Sequence, residues 1–128
     1  MADALLAPHR SYLPIVRPLL ASDRPVVKGM AHITGGGITD NLPRVLPEGT
    51  EAVVRLDAWE VPAIFRWLQH AGAVPREDML RTFNMGIGLI LVVPPALVAP
   101  VLSDLRERSE APVVIGEIAP GPRTVTYA

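Results

Sequence analysis

The sequence contains no cysteine, a single lysine (Lys28) and few aromatic residues, and its charges nearly cancel, with a formal net charge of −1 at pH 7. The lack of cysteine excludes a disulfide framework, thiolate metal sites and cysteine nucleophiles, and it favours a cytoplasmic location. The lack of a basic excess argues against a nucleic-acid-binding protein, which needs positive charge to neutralise phosphates. No basic flank followed by an apolar run opens the sequence, so no signal peptide is predicted.

What the sequence does have is a high apolar content, 49% of its 128 residues. That share predicts a packed globular protein rather than a disordered one. The length is enough for one domain, residues 1–128, and too short for two.

One uncharged stretch, residues 85–103, is nearly long enough to cross a lipid bilayer. Pro94, Pro95 and Pro100 interrupt it, and proline breaks the continuous helix that a membrane span requires. The sequence therefore predicts a buried strand followed by a helix, and no membrane segment.

Turn signals divide the chain into short elements of both types. Helices are predicted over residues 14–21, 40–45, 61–71, 76–81 and 96–108, and strands over residues 26–34, 50–56, 86–93, 112–118 and 123–127. The last two strands flank the turn "APGP" and are expected to form a hairpin. Strands interleaved with helices predict an α+β fold, in which helices pack on a mixed sheet as a layered sandwich.

The segment "HITGGGITDNLPR" is the most unusual part of the sequence, with Gly35, Gly36 and Gly37 between a predicted strand and a predicted helix. A helix start that follows glycines presents free backbone N–H groups and can bind an anion. Because proline is tolerated only in the first turn of a helix, Pro43 predicts that the helix begins no earlier than Asp40, with Asp40 as its N-cap. The alternative is that the glycines only make a tight turn, since the tract matches no phosphate-binding fingerprint.

Polar residues near this tract are candidates for a site. His32 and Thr34 lie two residues apart on the predicted strand and are expected to share one face. His32 is a candidate general base, a candidate phosphate donor, or a core histidine bonded to a carbonyl group. His9 and His70 are remote in sequence and are expected to face solvent, so no metal site is predicted.

A second polar position stands at the start of the glycine-bearing segment "RTFNMGIG". Asn84 is placed either to bind a ligand or to cap a turn. Gly86 and Gly88 fall on one face of the predicted strand, where a missing side chain indicates the close approach of a helix or a ligand. Trp59 and Trp67 are expected in the core or in a domain interface.

Three motifs in this order, "KGMAHITGGGITDNLPRVLP", "WEVPAIFRWLQHAG" and "EDMLRTFNMGIG", resemble the C-terminal domain of phosphoribosylformylglycinamidine cyclo-ligase, also called AIR synthetase. The resemblance extends from "LLAPHRSYL" over essentially the whole chain. It implies a cytoplasmic, ATP-dependent ligase of purine biosynthesis that converts formylglycinamidine ribonucleotide to aminoimidazole ribonucleotide. ATP would phosphorylate the formyl amide oxygen, and an amidine nitrogen would then close the ring and release phosphate.

The resemblance also implies how the enzyme is organised. Such enzymes are homodimers with two domains per subunit and an active site in the cleft between the domains. The N-terminal domain, which this chain lacks, would bind most of the ATP and Mg²⁺, so the chain alone is expected to be inactive. The residues that match substrate- or phosphate-binding positions of the family are His32, Thr34, Gly35, Gly36, Gly37, Asn41, Arg44, Asn84 and Gly86. His9 stands where threonine is common in the family, and no catalytic residue beyond the candidate His32 is implied.

Two alternatives remain open. One is another ATP-dependent enzyme of the same superfamily, such as formylglycinamidine ribonucleotide synthase. The other is a non-catalytic binding module, which would expose an apolar patch where a first domain packs in the enzyme.

Overall fold

The computed structural model describes residues 5–21 and 26–128. Helices α1 to α5 cover Leu13–Leu20, Gly37–Asn41, Ala63–Ala71, Arg76–Thr82 and Val98–Glu107, and strands β1 to β5 cover Gly29–His32, Thr50–Val54, Leu89–Val92, Gly116–Pro120 and Val125–Tyr127. Two short 3-10 helices, Leu42–Val45 and Pro95–Leu97, adjoin α2 and α5. This mixture confirms the predicted α+β class, and most predicted elements appear with shorter bounds.

The strands form two sheets. β1 pairs antiparallel with β3, and β2 lies between β4, which is antiparallel to it, and β5, which is parallel to it. The predicted hairpin of the last two strands is therefore wrong. Both edges of β2 need partners because its residues Ala52 and Val54 are buried. The chain crosses the start of β2, where the N–H of Gly121 donates to the carbonyl of Gly49 at 3.0 Å, and continues along its other edge.

A hydrophobic cluster joins both sheets to α2 and the 3-10 helix that follows it. Its buried members are Ala31, Ile33, Ile38, Leu42, Leu46, Ala52, Val54 and Ile90. Ile33 and Ile38 flank the glycine tract and are 0% and 1% exposed. Full burial of one such side chain contributes about 1.5–3 kcal/mol, so the tract is held at both ends by the core.

Two further clusters complete the packing. In one, Ile15 and Leu19 of α1 pack against Val101 and Leu105 of α5, over one face of β3. In the other, Met79, Leu80 and Met85 lie under the apolar face of α3. Trp67 of α3 is 44% exposed, so it is not a core residue in this structure.

The uncharged stretch of residues 85–103 forms β3, the double-proline turn and the first half of α5. Among residues 5–21 and 26–128, no helix is both long and apolar enough to cross a bilayer.

The prediction for the start of the helix after the glycines is wrong. Helix α2 begins at Gly37, with Gly36 as its N-cap at φ 97°, and Asp40 lies inside the helix. Pro43 does not limit this start because the helix changes to 3-10 geometry at Leu42, and Pro43 falls in the first turn of that new segment. A proline in a first turn needs no intrahelical donor.

Gly37 is the most constrained of the three consecutive glycines, and this yields a stability prediction. It adopts φ +60°, and a Cβ there would meet the carbonyl oxygen of Leu80 and would lie 2.8 Å from that of Phe83. We expect Gly37→Ala to lower the free energy of unfolding by at least about 2 kcal/mol, through backbone strain and overpacking.

Gly35→Ala is the matched control. A Cβ at Gly35 has no atom within 4 Å, and its φ is not positive. It should change the free energy of unfolding by less than about 0.5 kcal/mol. Urea denaturation of the two variants measures the difference, and equal stabilities would contradict the packing described for Gly37.

Candidate functional site

The glycine tract forms a tight turn that leads from β1 into α2. The N–H of Gly37 donates to the carbonyl of Thr34 at 3.1 Å, and the N–H of Asp40 donates to the carbonyl of Gly36 at 3.1 Å. The positive φ of Gly36 and Gly37 reverses the chain within two residues. Gly37 is buried beneath the turn, whereas Gly35 is exposed at its tip. The three glycines therefore have different environments.

The side chain of Asn41 holds this turn from inside. Asn41 is 6% exposed, and its Nδ2 lies 2.8 Å from the carbonyl oxygen of Gly37, 3.1 Å from that of Gly35 and 3.4 Å from that of Thr34. A single amide group thus contacts the carbonyl groups of three residues of the turn. Asn41 therefore stabilises the loop, because its amide N–H groups point at carbonyl groups of the protein itself.

Tyr127 of β5 supports α2 through a hydrogen bond with Thr39 of that helix. The hydroxyl groups of the two residues lie 2.8 Å apart, and Thr39 also donates to the carbonyl of Leu80 at 3.2 Å. Burial raises the pKa of the Tyr127 phenol above its ordinary value, and the nearby Asp40 raises it further. The hydrogen bond to Thr39 and the positive charge of Arg81 act in the opposite direction.

The outer side of the turn is polar and open to solvent. His32, Thr34 and Asp40 are exposed, and so is Arg44 in the 3-10 helix that follows α2. The Asp40 side chain folds back over Gly36, where a Cβ would lie 3.1 Å from its carboxylate oxygen. The turn therefore combines a fixed backbone with exposed side chains of both charge signs.

The second predicted loop lies beside the first. The N–H of Ile33 donates to the carbonyl of Gly88 at 2.9 Å, and Gly37 packs against the carbonyl of Phe83. Asn84 accepts a hydrogen bond from the N–H of Gly86 through Oδ1 at 2.9 Å, so it caps its own turn. The structure thus brings together the two segments that were predicted separately from the sequence.

The residue between Asn84 and Gly86 has an uncommon backbone conformation. Met85 adopts φ 53°, and the indole N–H of Trp59 donates to its carbonyl at 3.0 Å. Trp59 therefore fixes the strained turn, which agrees with its expected place in the core.

Gly86 and Gly88 both precede β3 rather than lie within it, so the predicted strand was too long at this end. The close approach that these two glycines indicated is present at both Gly86 and Gly88. A Cβ at Gly86 would meet Pro62, the N-cap of α3, and a Cβ at Gly88 would meet the hydroxyl of Tyr12, the N-cap of α1. The approaching groups are helix ends of this chain, one of the two alternatives left open.

Sequence reasoning missed the contacts of His9 and Tyr12. His9 is exposed, as expected, but its ring centroid lies 4.5 Å from that of His32. Tyr12 lies 6.0 Å from His32 by the same measure. The signal in the sequence was Gly88, whose missing side chain leaves room for Tyr12.

A cavity of about 420 Å³ lies between β3, α5 and residues 111–118. Its lining is mainly aliphatic and includes Gly86 and Gly88, but His32, Thr34 and Arg44 are not part of it. The exposed polar side chains of the glycine turn therefore face a different surface from this cavity.

The contacts of Asn41 predict how much it contributes to the stability of the fold. We expect Asn41→Ala to lower the free energy of unfolding by about 1–3 kcal/mol, because the turn loses the amide donor that contacts the carbonyl groups of Gly37, Gly35 and Thr34. Asn41→Asp should lower the free energy of unfolding further at neutral pH, because a carboxylate would then face three carbonyl oxygens. Urea denaturation measures both, with the exposed Thr34→Ala as control, and the prediction fails if Asn41→Asp is as stable as the parent.

The raised pKa of Tyr127 predicts an alkaline loss of stability. The folded state keeps the phenol protonated to a higher pH than the unfolded state, whose pKa is about 10. This contribution is complete below about pH 10 and is lost as pH rises through the folded pKa. Tyr127→Phe should flatten the fall of the free energy of unfolding above pH 10, whereas Tyr12→Phe serves as the comparison. An unchanged slope in Tyr127→Phe would contradict the burial effect.

The sequence is similar to part of several proteins called phosphoribosylformylglycinamidine cyclo-ligase. The phosphoribosylformylglycinamidine cyclo-ligase of Desulfitobacterium hafniense is 46% identical over 127 residues, which cover 99% of this chain and 37% of that protein. The enzyme of Carboxydothermus hydrogenoformans is 50% identical over 126 residues, covering 98% and 36%. A chloroplastic/mitochondrial enzyme of Vigna unguiculata is 50% identical over 121 residues, covering 94% and 30%. The chain thus spans about a third of the length of these relatives.

Solved structures with the same fold are more distant in sequence. The crystal structure of Escherichia coli HypE, a hydrogenase maturation protein, matches with a TM-score of 0.66 at 21% identity, over 93% of this chain and 36% of that one. Thiamine-monophosphate kinase of Stenotrophomonas maltophilia matches with a TM-score of 0.56 at 16% identity, over 80% and 31%. At these identities the likeness shows the fold alone.

A family model described as "AIR synthase related protein, C-terminal domain" matches residues 1–128. Together with the cyclo-ligase relatives, this match confirms the resemblance drawn from the three motifs: the chain belongs to the family of AIR synthase related C-terminal domains.

Proposed function

We propose that this chain is the C-terminal part of an ATP-dependent cyclo-ligase that converts formylglycinamidine ribonucleotide to aminoimidazole ribonucleotide in purine biosynthesis. In this proposal the glycine turn is one wall of an active site between two domains, and it holds a phosphate group of the substrate or of the reaction. The γ-phosphoryl group of ATP is transferred to the formyl amide oxygen, and ADP leaves. Ring closure by the amidine nitrogen then expels that oxygen as phosphate.

The observation that carries the proposal is the combination of a rigid turn with exposed polar groups. Asn41, Gly37 and the core fix the backbone from inside, while Thr34 and Arg44 stay exposed on the outside. A site that binds charged ligands gains when its donors are held in place before the ligand arrives. Core packing alone does not require a polar outer side at this turn.

The identity of the relatives supports the choice of reaction. Proteins called phosphoribosylformylglycinamidine cyclo-ligase are 46–50% identical to this chain over nearly all of it. The chain corresponds to only 30–37% of their length. The proposal therefore assigns the remaining components of the enzyme, an N-terminal domain and a second subunit in a homodimer, to a longer protein.

ATP and Mg²⁺ are assigned mainly to that N-terminal domain. In the part of the chain that the structure describes, no three histidine, cysteine, aspartate or glutamate side chains gather into a group suited to a metal ion. Asp40, beside Gly36, is the acidic group of the turn that would face a metal-bound phosphate across the cleft.

Assays of the chain alone and of a chimaera test this function. The chimaera carries this chain in place of the C-terminal part of the Desulfitobacterium hafniense cyclo-ligase. We expect the isolated chain to form no aminoimidazole ribonucleotide, because one wall of the cleft is missing, and the folded chimaera to form it with ATP. Within the chimaera, Arg44→Gln and Thr34→Val should each lower kcat/KM about ten- to a hundredfold, the usual effect of losing a hydrogen bond to a charged group.

Arg17→Gln is the matched control, since Arg17 is an exposed arginine on α1. It should leave kcat/KM unchanged. Substantial turnover by the isolated chain would overturn the two-wall arrangement. If the Arg44 and Thr34 variants have the same kcat/KM as the parent, the glycine turn is not part of the active site. A folded chimaera that is inactive, in which the chain also fails to bind formylglycinamidine ribonucleotide, would favour the superfamily or binding-module alternatives.

A further inference from the structure

Three rings form a cluster beside the glycine turn. The centroid of His9 lies 4.5 Å from that of His32 and 5.9 Å from that of Tyr12, and Tyr12 lies 6.0 Å from His32. All three pairs have interplanar angles of 69–72°, which is the edge-to-face arrangement that aromatic rings favour. The exposed His32 ring therefore has packed neighbours although it lies at the end of β1.

The position of Tyr12 is fixed by the fold. Tyr12 is the N-cap of α1, which is anchored on α5 through Ile15 and Leu19. Its hydroxyl occupies the space where Gly88 would carry a Cβ, and the same Cβ would lie 3.1 Å from Cε1 of His9. A side chain at this position would displace the cluster, so Gly88 is needed for the rings to reach His32.

The segment between His9 and Tyr12 has its own anchor. Arg10 donates two hydrogen bonds to Glu110, at 2.8 and 3.0 Å, and its guanidinium lies 5.2 Å from the centroid of the Tyr12 ring. Nε2 of His9 lies 3.4 Å from the carbonyl oxygen of Ile33, the residue next to His32. Thus the segment is held at Glu110 and lies against the end of β1.

We propose that His9 is a positioning residue for His32, with Tyr12 as its support. The edge-to-face contact restricts the rotamers of the exposed His32 ring beside the glycine turn. A side chain restricted before binding loses less conformational entropy when a ligand contacts it. This inference rests on the proposed function, in which His32 belongs to the site.

The first test needs no catalysis. Nuclear magnetic resonance of this chain measures the χ1 couplings and ring chemical shifts of His32 in the parent, His9→Ala and His9→Phe. We expect His32 to show one rotamer in the parent, rotamer averaging in His9→Ala and recovery in His9→Phe, which restores the ring contact without an imidazole. His70, exposed on α3, is the internal reference and should not change. Identical His32 couplings in the parent and His9→Ala would overturn the proposal.

The second test is a double-mutant cycle in the chimaera described above. His9→Ala should lower kcat/KM about two- to tenfold, the usual range for one aromatic pair, and His9→Phe should restore it. In a His32→Ala background the same His9→Ala change should have no effect, because there is no ring to position. His70→Ala is the control.

The outcomes separate the two proposals. If His32→Ala lowers activity but His9→Ala does not, the positioning role is wrong and the proposed function stands. If the resonance data show the restricted rotamer but His32→Ala leaves kcat/KM unchanged, the cluster exists and His32 has no part in the reaction. An equal His9→Ala effect in both backgrounds indicates general destabilisation and also overturns the inference.

Discussion

The buried amide of Asn41 is the interaction on which the glycine turn depends. Within a five-residue helix, backbone hydrogen bonds alone cannot hold a stable conformation, because nucleation of a helix is costly. Asn41 offsets this by binding the carbonyl groups of Thr34, Gly35 and Gly37, while Ile33 and Ile38 anchor the two ends in the core. The side chains of Thr34 and Arg44 are exposed and lie outside the hydrophobic clusters, so they are free to be polar.

Part of this arrangement was predictable. The glycine run, the polar residues around it and the need for a close contact at Gly86 and Gly88 are all visible locally, because they follow from backbone geometry and side-chain size. The start of α2 was not, since Pro43 is compatible either with a new α-helix or with the change to 3-10 geometry that the structure shows. The parallel β5 was missed because its pairing with β2 depends on a crossing at Gly49 and Gly121, residues far apart in sequence. The rings of His9 and Tyr12 meet His32 for the same kind of reason: tertiary packing alone brings them together.

The shared fold and the sequence relatives support different conclusions about the function. HypE and thiamine-monophosphate kinase have the same fold at low sequence identity, so the fold does not select a reaction. The cyclo-ligase relatives support the proposed reaction, but they are about three times as long as this chain. In the proposed function, this chain contributes the polar glycine turn, and the remaining groups of the active site come from the rest of a longer protein.

The hydroxyl pair of Thr39 and Tyr127 joins residues that are 88 positions apart. This contact therefore forms only when β5 has paired with β2, which is one of the least local pairings of the fold. The conformation of the turn is consequently fixed by the whole domain rather than by its local sequence. A peptide that contains only residues 28–46 would be flexible, and fraying of β5 in the intact chain would loosen a surface on the opposite side of α2.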